Sequence, residues 1–209
     1  MNETDRLLST TRAVRKRLDL ERPVDPGVIL DCIRLAVQAP TGSNQQTWRW
    51  LVITDPEKRR AIADAYNVAG TAYLSMAAAD ENNDPQTRRV YESALALTET
   101  LAQVPVHVIP CIEARLDLRS NMAAASQYGS ILPAAWSFLL ALRSRGLGSV
   151  WTTLHLFHEA EVAKLLGIPD NVTQVALFPI AHTIGTDFKP AARPPVEDIT
   201  YWDAWGDAR

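Results

Sequence analysis

Residues 122–145 form the longest apolar segment with helical spacing in the chain, and a helix of that kind has to be buried. Trp136, Leu139, Leu140 and Leu142 suit its core side. Pro133 lies inside it and removes a backbone donor, so the helix is expected to kink or restart there. Gly146 and Gly148 end it. The rest of the chain must supply the elements that cover this helix.

Asp25-Pro26 reads as an N-cap followed by proline at the first helical position. Val28, Ile29, Cys32, Ile33, Leu35 and Ala36 follow at helical spacing and stop before Pro40. Trp48 to Thr54 reads as a strand, and Asp55-Pro56 opens an Ala-rich helix over 57–79. Residues 80–85 are an exposed break, and a helix resumes from Thr87 to Gln103. Val106 to Ile109 and Val175 to Ile180 have the apolar runs of buried strands. Between them, Ser149 to Thr153 is a short strand or loop, and Glu159 to Leu166 is a helix stopped by Gly167. From Thr186 the chain is Pro-rich and ends on Tyr201, Trp202 and Trp205. Those aromatics need cover, either from a partner subunit or from the chain's own core. No internal repeat or low-complexity linker interrupts the pattern, and 209 residues suffice for one large domain, taken as 1–209.

Composition narrows the function classes. A formal charge of −3 argues against a general nucleic-acid surface. No apolar run is long enough to cross a bilayer, and the first residues lack a secretory pattern. Cys32 and Cys111 sit in apolar contexts without a Cys-x-x-Cys pair, as buried reduced thiols of a cytoplasmic protein would. The four histidines show no metal-ligand spacing.

Three segments carry possible chemistry. Ala39-Pro40-Thr41-Gly42-Ser43-Asn44-Gln45-Gln46-Thr47-Trp48 turns from helix to strand with more amides and hydroxyls than a turn needs. Such groups can hydrogen-bond a planar polar heterocycle while the Trp anchors the loop; the alternative is an ordinary polar loop. Arg12, Arg15, Lys16 and Arg17 put four cations in six residues. Guanidinium groups bind phosphate bidentately, so this is an anion site, a solvated basic face or a nucleic-acid arm. Arg193, between two alanines and two prolines, is either surface decoration or a second cation closing on the same phosphate. Gly146 to Thr153 lacks a phosphate-loop ending, so its glycines either admit a flat ligand or cap a helix before a strand. No nucleophile–base pair is evident. His155 is a structural histidine or a wall of a substrate pocket.

Taken in order, these segments resemble the nitroreductase family of flavin enzymes over nearly the whole length, least well at 67–105. Arg12-Ala13-Val14-Arg15 resembles the family's Arg-Ser-x-Arg motif, and Ala39 to Trp48 resembles Ala-Pro-Ser-x-x-Asn-x-Gln-Pro-Trp. Gly146 to Trp151, Leu165-Leu166-Gly167-Ile168-Pro169 and Arg193-Pro194-Pro195 follow in the expected order. Ala13 stands where the family carries Ser, Thr41 where it carries Ser, and Thr47 where it carries Pro. Pro133-Ala134 stands where many members carry Gln-Asn.

The resemblance implies an α+β fold: a central mixed sheet flanked by helices, with a C-terminal tail extending onto the partner of an obligate homodimer. It implies FMN at the subunit interface. Arg12 and Arg193 would hold the phosphate beside Ala13, and Arg15 would face the pyrimidine edge of the ring. Pro40, Thr41, Ser43 and Asn44 would come from the other subunit, and Gly42 and Gln46 are further candidates for cofactor binding. Thr152 and Thr153 would present backbone to the ring, and Tyr73 and His155 are candidates for the acceptor pocket. The activity implied is reduction of a small electron-poor acceptor, such as a nitroaromatic or quinone, with NADH or NADPH as donor. No catalytic side chain is required, since the flavin carries the chemistry. The alternatives are another flavin reaction, such as dehalogenation or heterocycle oxidation, and flavin binding without turnover.

Overall fold

The computed structural model describes residues 2–117 and 119–207; the remaining residues of the expected 1–209 domain, Met1, Leu118, Ala208 and Arg209, lie outside them. Helix α1, Glu3–Thr10, has no counterpart in the sequence reading. Its signal is a capping box: Asn2 accepts from the Asp5 N–H, and Asp5 accepts from the Asn2 N–H. Strand β1, Leu18–Asp19, leads to α2, Pro26–Ala36, then β2, Trp48–Ile53, and α3, Pro56–Ala79. Helix α4, Pro85–Thr100, β3, Val106–Ile112, and α5, Asn121–Ser144, follow. The chain then forms β4, Leu147–Gly148, α6, Glu159–Leu166, β5, Thr173–Gln174, and β6, Phe178–Thr183.

One local device starts three of these helices. Asp25, Asp55 and Asp84 each accept backbone N–H groups of the first turn, and a proline follows each at the first helical position. The third pair moves the start of α4 two residues ahead of the expected Thr87. Helix α5 runs unbroken through Pro133 rather than restarting. Pro133 and Gly129, whose carbonyl loses its helical donor, both lie on the exposed side, where water can satisfy that carbonyl. The opposite side, with Ile131, Ala134, Ala135 and Phe138, is buried and holds the helix together.

The sheet has the order β1-β6-β3-β2, with β4 pairing β6 and β5 pairing β3. Every pairing among the described residues is antiparallel, so the expected mixed sheet is corrected to an antiparallel one. Central β3 is buried along its whole length and alternates its side chains between two cores. Val106 and Val108 join Ile29, Cys32, Phe138 and Leu142 on the α2–α5 side. Ile109 and Cys111 join Ile62, Tyr66, Leu97 and Val162 on the side of α3, α4 and α6. Cys32 and Cys111 are free and buried, and burial pushes the Cys111 thiol up to about 12.

The strand expected from Val175 begins only at Phe178. Val175 donates to the Pro110 carbonyl, and Leu177 pairs with Thr152 outside the main ladder. The tail is not covered by its own chain: the Tyr201 and Trp205 rings meet tilted at 51°, 4.9 Å between centroids, yet Trp205 is 90% exposed.

Candidate functional site

Two segments far apart in sequence are tied together at the edge of the sheet. The Val14 N–H donates to the Ser149 carbonyl at 2.8 Å, which lays residues 12–15 beside 147–151. Gly148 permits the approach: a Cβ there would sit 2.6 Å from Thr183 Cγ2 and 3.0 Å from Val14 Cβ. The two segments, with Trp136 and Leu139 of α5, line a cleft of about 140 Å³. Ser149 lines this cleft, and its hydroxyl is buried without a hydrogen-bond partner among the described residues. Gly148→Ala should push Val14 away and cost roughly 1–3 kcal/mol by overpacking. Denaturant melts would read the loss, and an unchanged midpoint would show that the contact gives way freely.

The cleft adjoins a cavity of about 590 Å³, within the size range of small-molecule sites. Arg12, Arg15 and Arg193 all line it, although Arg193 lies far along the chain. Arg17 explains the convergence. Its guanidinium donates to the Ile184 carbonyl and to Asp187, both at 2.6 Å. The Phe188 ring then lies 4.4 Å from the Arg17 guanidinium and 4.7 Å from that of Arg143. Arg17 is therefore a clamp on the tail and not a cavity cation, and the clamped tail delivers Arg193.

The other wall was not anticipated from the sequence. Gln86, Arg89, Val90 and Ser93 of α4 face the cavity, and their spacing places them on one helical stripe. Arg15 donates to the Ser93 hydroxyl at 3.2 Å. Burial lowers the Arg15 pKa, and the nearby Tyr66 opposes this. A guanidinium remains charged throughout the accessible pH range, so its charge acts in a partly desolvated setting. Trp136, expected in the core, is 43% exposed and lines the cavity instead.

The polar loop lies elsewhere in the chain. Its Gly42 N–H donates to Ser130 Oγ at 2.9 Å, and Trp48 Nε1 donates to the Ser130 carbonyl at 3.0 Å. This docks it on the N-terminal half of α5, roughly 9 Å along the helix from Trp136, the α5 residue on the cavity wall. Pro40, Thr41, Gly42, Ser43, Asn44 and Gln46 therefore do not line the arginine cavity of their own chain. The loop is costly: Ser43, Asn44 and Gln46 have φ of 51°, 55° and 52°, the left-handed region.

The two threonines part company. Thr152 spends both its N–H and its carbonyl on Leu177, so its backbone is not available to a ring, and its hydroxyl donates to Tyr66 Oη at 3.2 Å. Thr153 is exposed, and its N–H has no partner among the described residues.

His155 is corrected from a pocket wall to a core residue. It is 0% exposed, and neither ring nitrogen has a hydrogen-bond partner. Tyr73 is 53% exposed on α3 and does not line the arginine cavity. Among the described residues no His, Cys, Asp and Glu cluster could hold a metal, and no helix is long and apolar enough to cross a membrane.

An antiparallel sheet between two helical layers, with a cavity lined by Arg12, Arg15 and Arg193, defines an α+β protein. The chain belongs to the nitroreductase family, whose model matches residues 8–182. It is 26% identical to an NADH dehydrogenase of Thermus thermophilus, covering 97% of this chain and 100% of the relative. The fold is similar to that of an FMN and NADPH-dependent nitroreductase from sphigopyxis sp. strain HMH, at a TM-score of 0.70 and 19% identity, covering 98% of this chain and 100% of that one. It is also similar to an iodotyrosine deiodinase bound to FMN and 3-iodo-L-tyrosine, at a TM-score of 0.69 and 22% identity, covering 91% and 94%.

Proposed function

We propose that this protein is an FMN-dependent oxidoreductase that takes electrons from NADH or NADPH and passes them to a small electron-poor acceptor such as a nitroaromatic or quinone. The observation that carries the reading is the meeting of Arg12, Arg15 and Arg193 in one cavity. Three guanidiniums converging on one cavity fit a ligand that carries a phosphate and a polar ring edge. FMN, when bound, supplies the hydride transfer between donor and acceptor. Arg12 and Arg193 hold its phosphate. Arg15, braced by Ser93, stabilises negative charge that accumulates on the ring. The exposed Thr153 N–H would hydrogen-bond a ring heteroatom. Ala13 lines the cavity without a hydroxyl to offer.

The site is completed by a second copy of the chain. The strained loop 40–46 does not line its own cavity, and Tyr201, Trp202 and Trp205 stand exposed in the tail. An isologous dimer supplies one loop to each cavity and covers each tail. The reading is of a cytoplasmic protein. The likeness to a deiodinase as well as to nitroreductases supports reductive dehalogenation as a second reading, in which the same flavin site serves a halogenated acceptor.

Purified protein should be yellow, release FMN on heating, and lose its colour on anaerobic addition of NADPH or NADH. Release of FAD, or failure to take up FMN on reconstitution, would overturn the reading. Light scattering at micromolar concentration should give twice the chain mass; a monomer with flavin bound would remove the shared site. Turnover with a quinone, a nitroaromatic and a halophenol separates the two acceptor readings.

A further inference from the structure

The positive charge on the arginine cavity extends beyond Arg12, Arg15 and Arg193. Arg89 is the fourth guanidinium on its lining, and no Asp or Glu lies among the residues that line it. Arg89 makes no ion pair among the described residues; its electrostatic influence reaches Asp84, whose carboxylate is held by the first turn of α4 and by the Thr87 hydroxyl. The helix fixes its direction. Ser93, one turn on, is bonded to Arg15, so the stripe that carries Arg89 faces the cavity. Gln86, one turn back on the same stripe, adds an amide donor.

We propose that Arg89 and Gln86 form a phosphomonoester-binding element on α4. This rests on the FMN reading of the cavity. The shared chemistry is a terminal phosphate dianion, which guanidiniums from the α4 face and the opposite wall would neutralise while the Gln86 amide donates a further hydrogen bond. Two sources present that group: the 5′-phosphate of FMN, and the 2′-phosphate that distinguishes NADPH from NADH. In either case α4 becomes part of the ligand site instead of an outer layer.

The test uses the full-length protein and Arg89→Gln, which keeps a good helix former and removes the charge. In the first arm, apo protein is titrated with FMN and with riboflavin, and flavin fluorescence quenching is read. If the cofactor phosphate is the ligand, FMN affinity falls on the order of tenfold and riboflavin affinity does not change. In the second arm, the FMN-saturated variant is assayed with NADPH and NADH. If the donor phosphate is the ligand, KM for NADPH rises on the order of tenfold while KM for NADH holds. Equal effects on FMN and riboflavin, or on both nicotinamides, would mean a general loss of structure and would overturn the proposal, as would no effect in both arms. Gln86→Ala should move the same arm by a smaller factor. Failure of the unaltered protein to bind FMN would sink the cofactor reading itself, a result distinct from these.

Discussion

Arg12→Ala should weaken FMN binding roughly ten- to a hundredfold, because losing one charge-assisted contact costs about 1.5–3 kcal/mol. Added FMN should restore turnover, since the charge lost is on the phosphate and not at the ring. Arg15→Ala should behave differently. Arg15 is partly buried, bonded to Ser93 and close to Tyr66, so its charge acts where solvent screens it little. Its removal should lower the flavin midpoint potential and slow reduction by NAD(P)H, while more flavin stays bound than in Arg12→Ala. Excess FMN would not repair that defect. Affinity by fluorescence and the saturated rate of flavin reduction by stopped flow distinguish the two variants. Identical phenotypes would refute the split roles while leaving the cavity assignment intact.

A large effect is also expected in the buried core. His107 and His155 are both 0% exposed, and burial is the main cause that depresses each from 6.5 to about 4. The unfolded chain therefore binds their protons first. Stability from the neutral rings is complete above pH 6.5 and is lost as pH falls toward 4. At about 1.4 kcal/mol per pH unit, each histidine contributes about 3 kcal/mol to that loss. His155→Leu should remove its share, because neither ring nitrogen has a partner to lose. Urea unfolding at pH 7 and at pH 4.5 should show a variant less acid-sensitive than the parent. An equal loss in both proteins would mean that His155 is charged when folded or reached by water. His107 is the harder test, since its Nε2 contacts the Leu101 carbonyl at 2.9 Å and substitution breaks that contact.

Local rules recovered most of the elements. Asp25-Pro26 and Asp55-Pro56 start helices where their chemistry requires, and Gly167, at φ 69°, stops α6. The same rules were present but unread at Asn2 to Asp5 and at Asp84-Pro85. Both signals sit in polar stretches, where burial pattern is a poor guide. The strand expected from Val175 failed for another reason. Residues 175–177 are as buried as a strand, but their hydrogen bonds go to Pro110 and Thr152, and composition does not reveal partners.

The sequence by itself determined which residue types could meet a phosphate and a ring: a cluster of arginines, a lone tail arginine, a polar loop and a glycine-flanked segment. Those are properties of side chains, legible one position at a time. Only the tertiary structure decided which of them meet. It split the basic cluster, sending Arg12 and Arg15 to the cavity and Arg17 to the tail clamp. It took the Thr152 backbone for a bridge to Leu177 and sealed His155 in the core. It also added α4 as a wall that no motif announced. The physical reason is that contacts between distant segments are set by packing of whole faces, here the stripe of α4 and the clamp on Phe188. A single guanidinium carries no record in its local sequence of which face it will join.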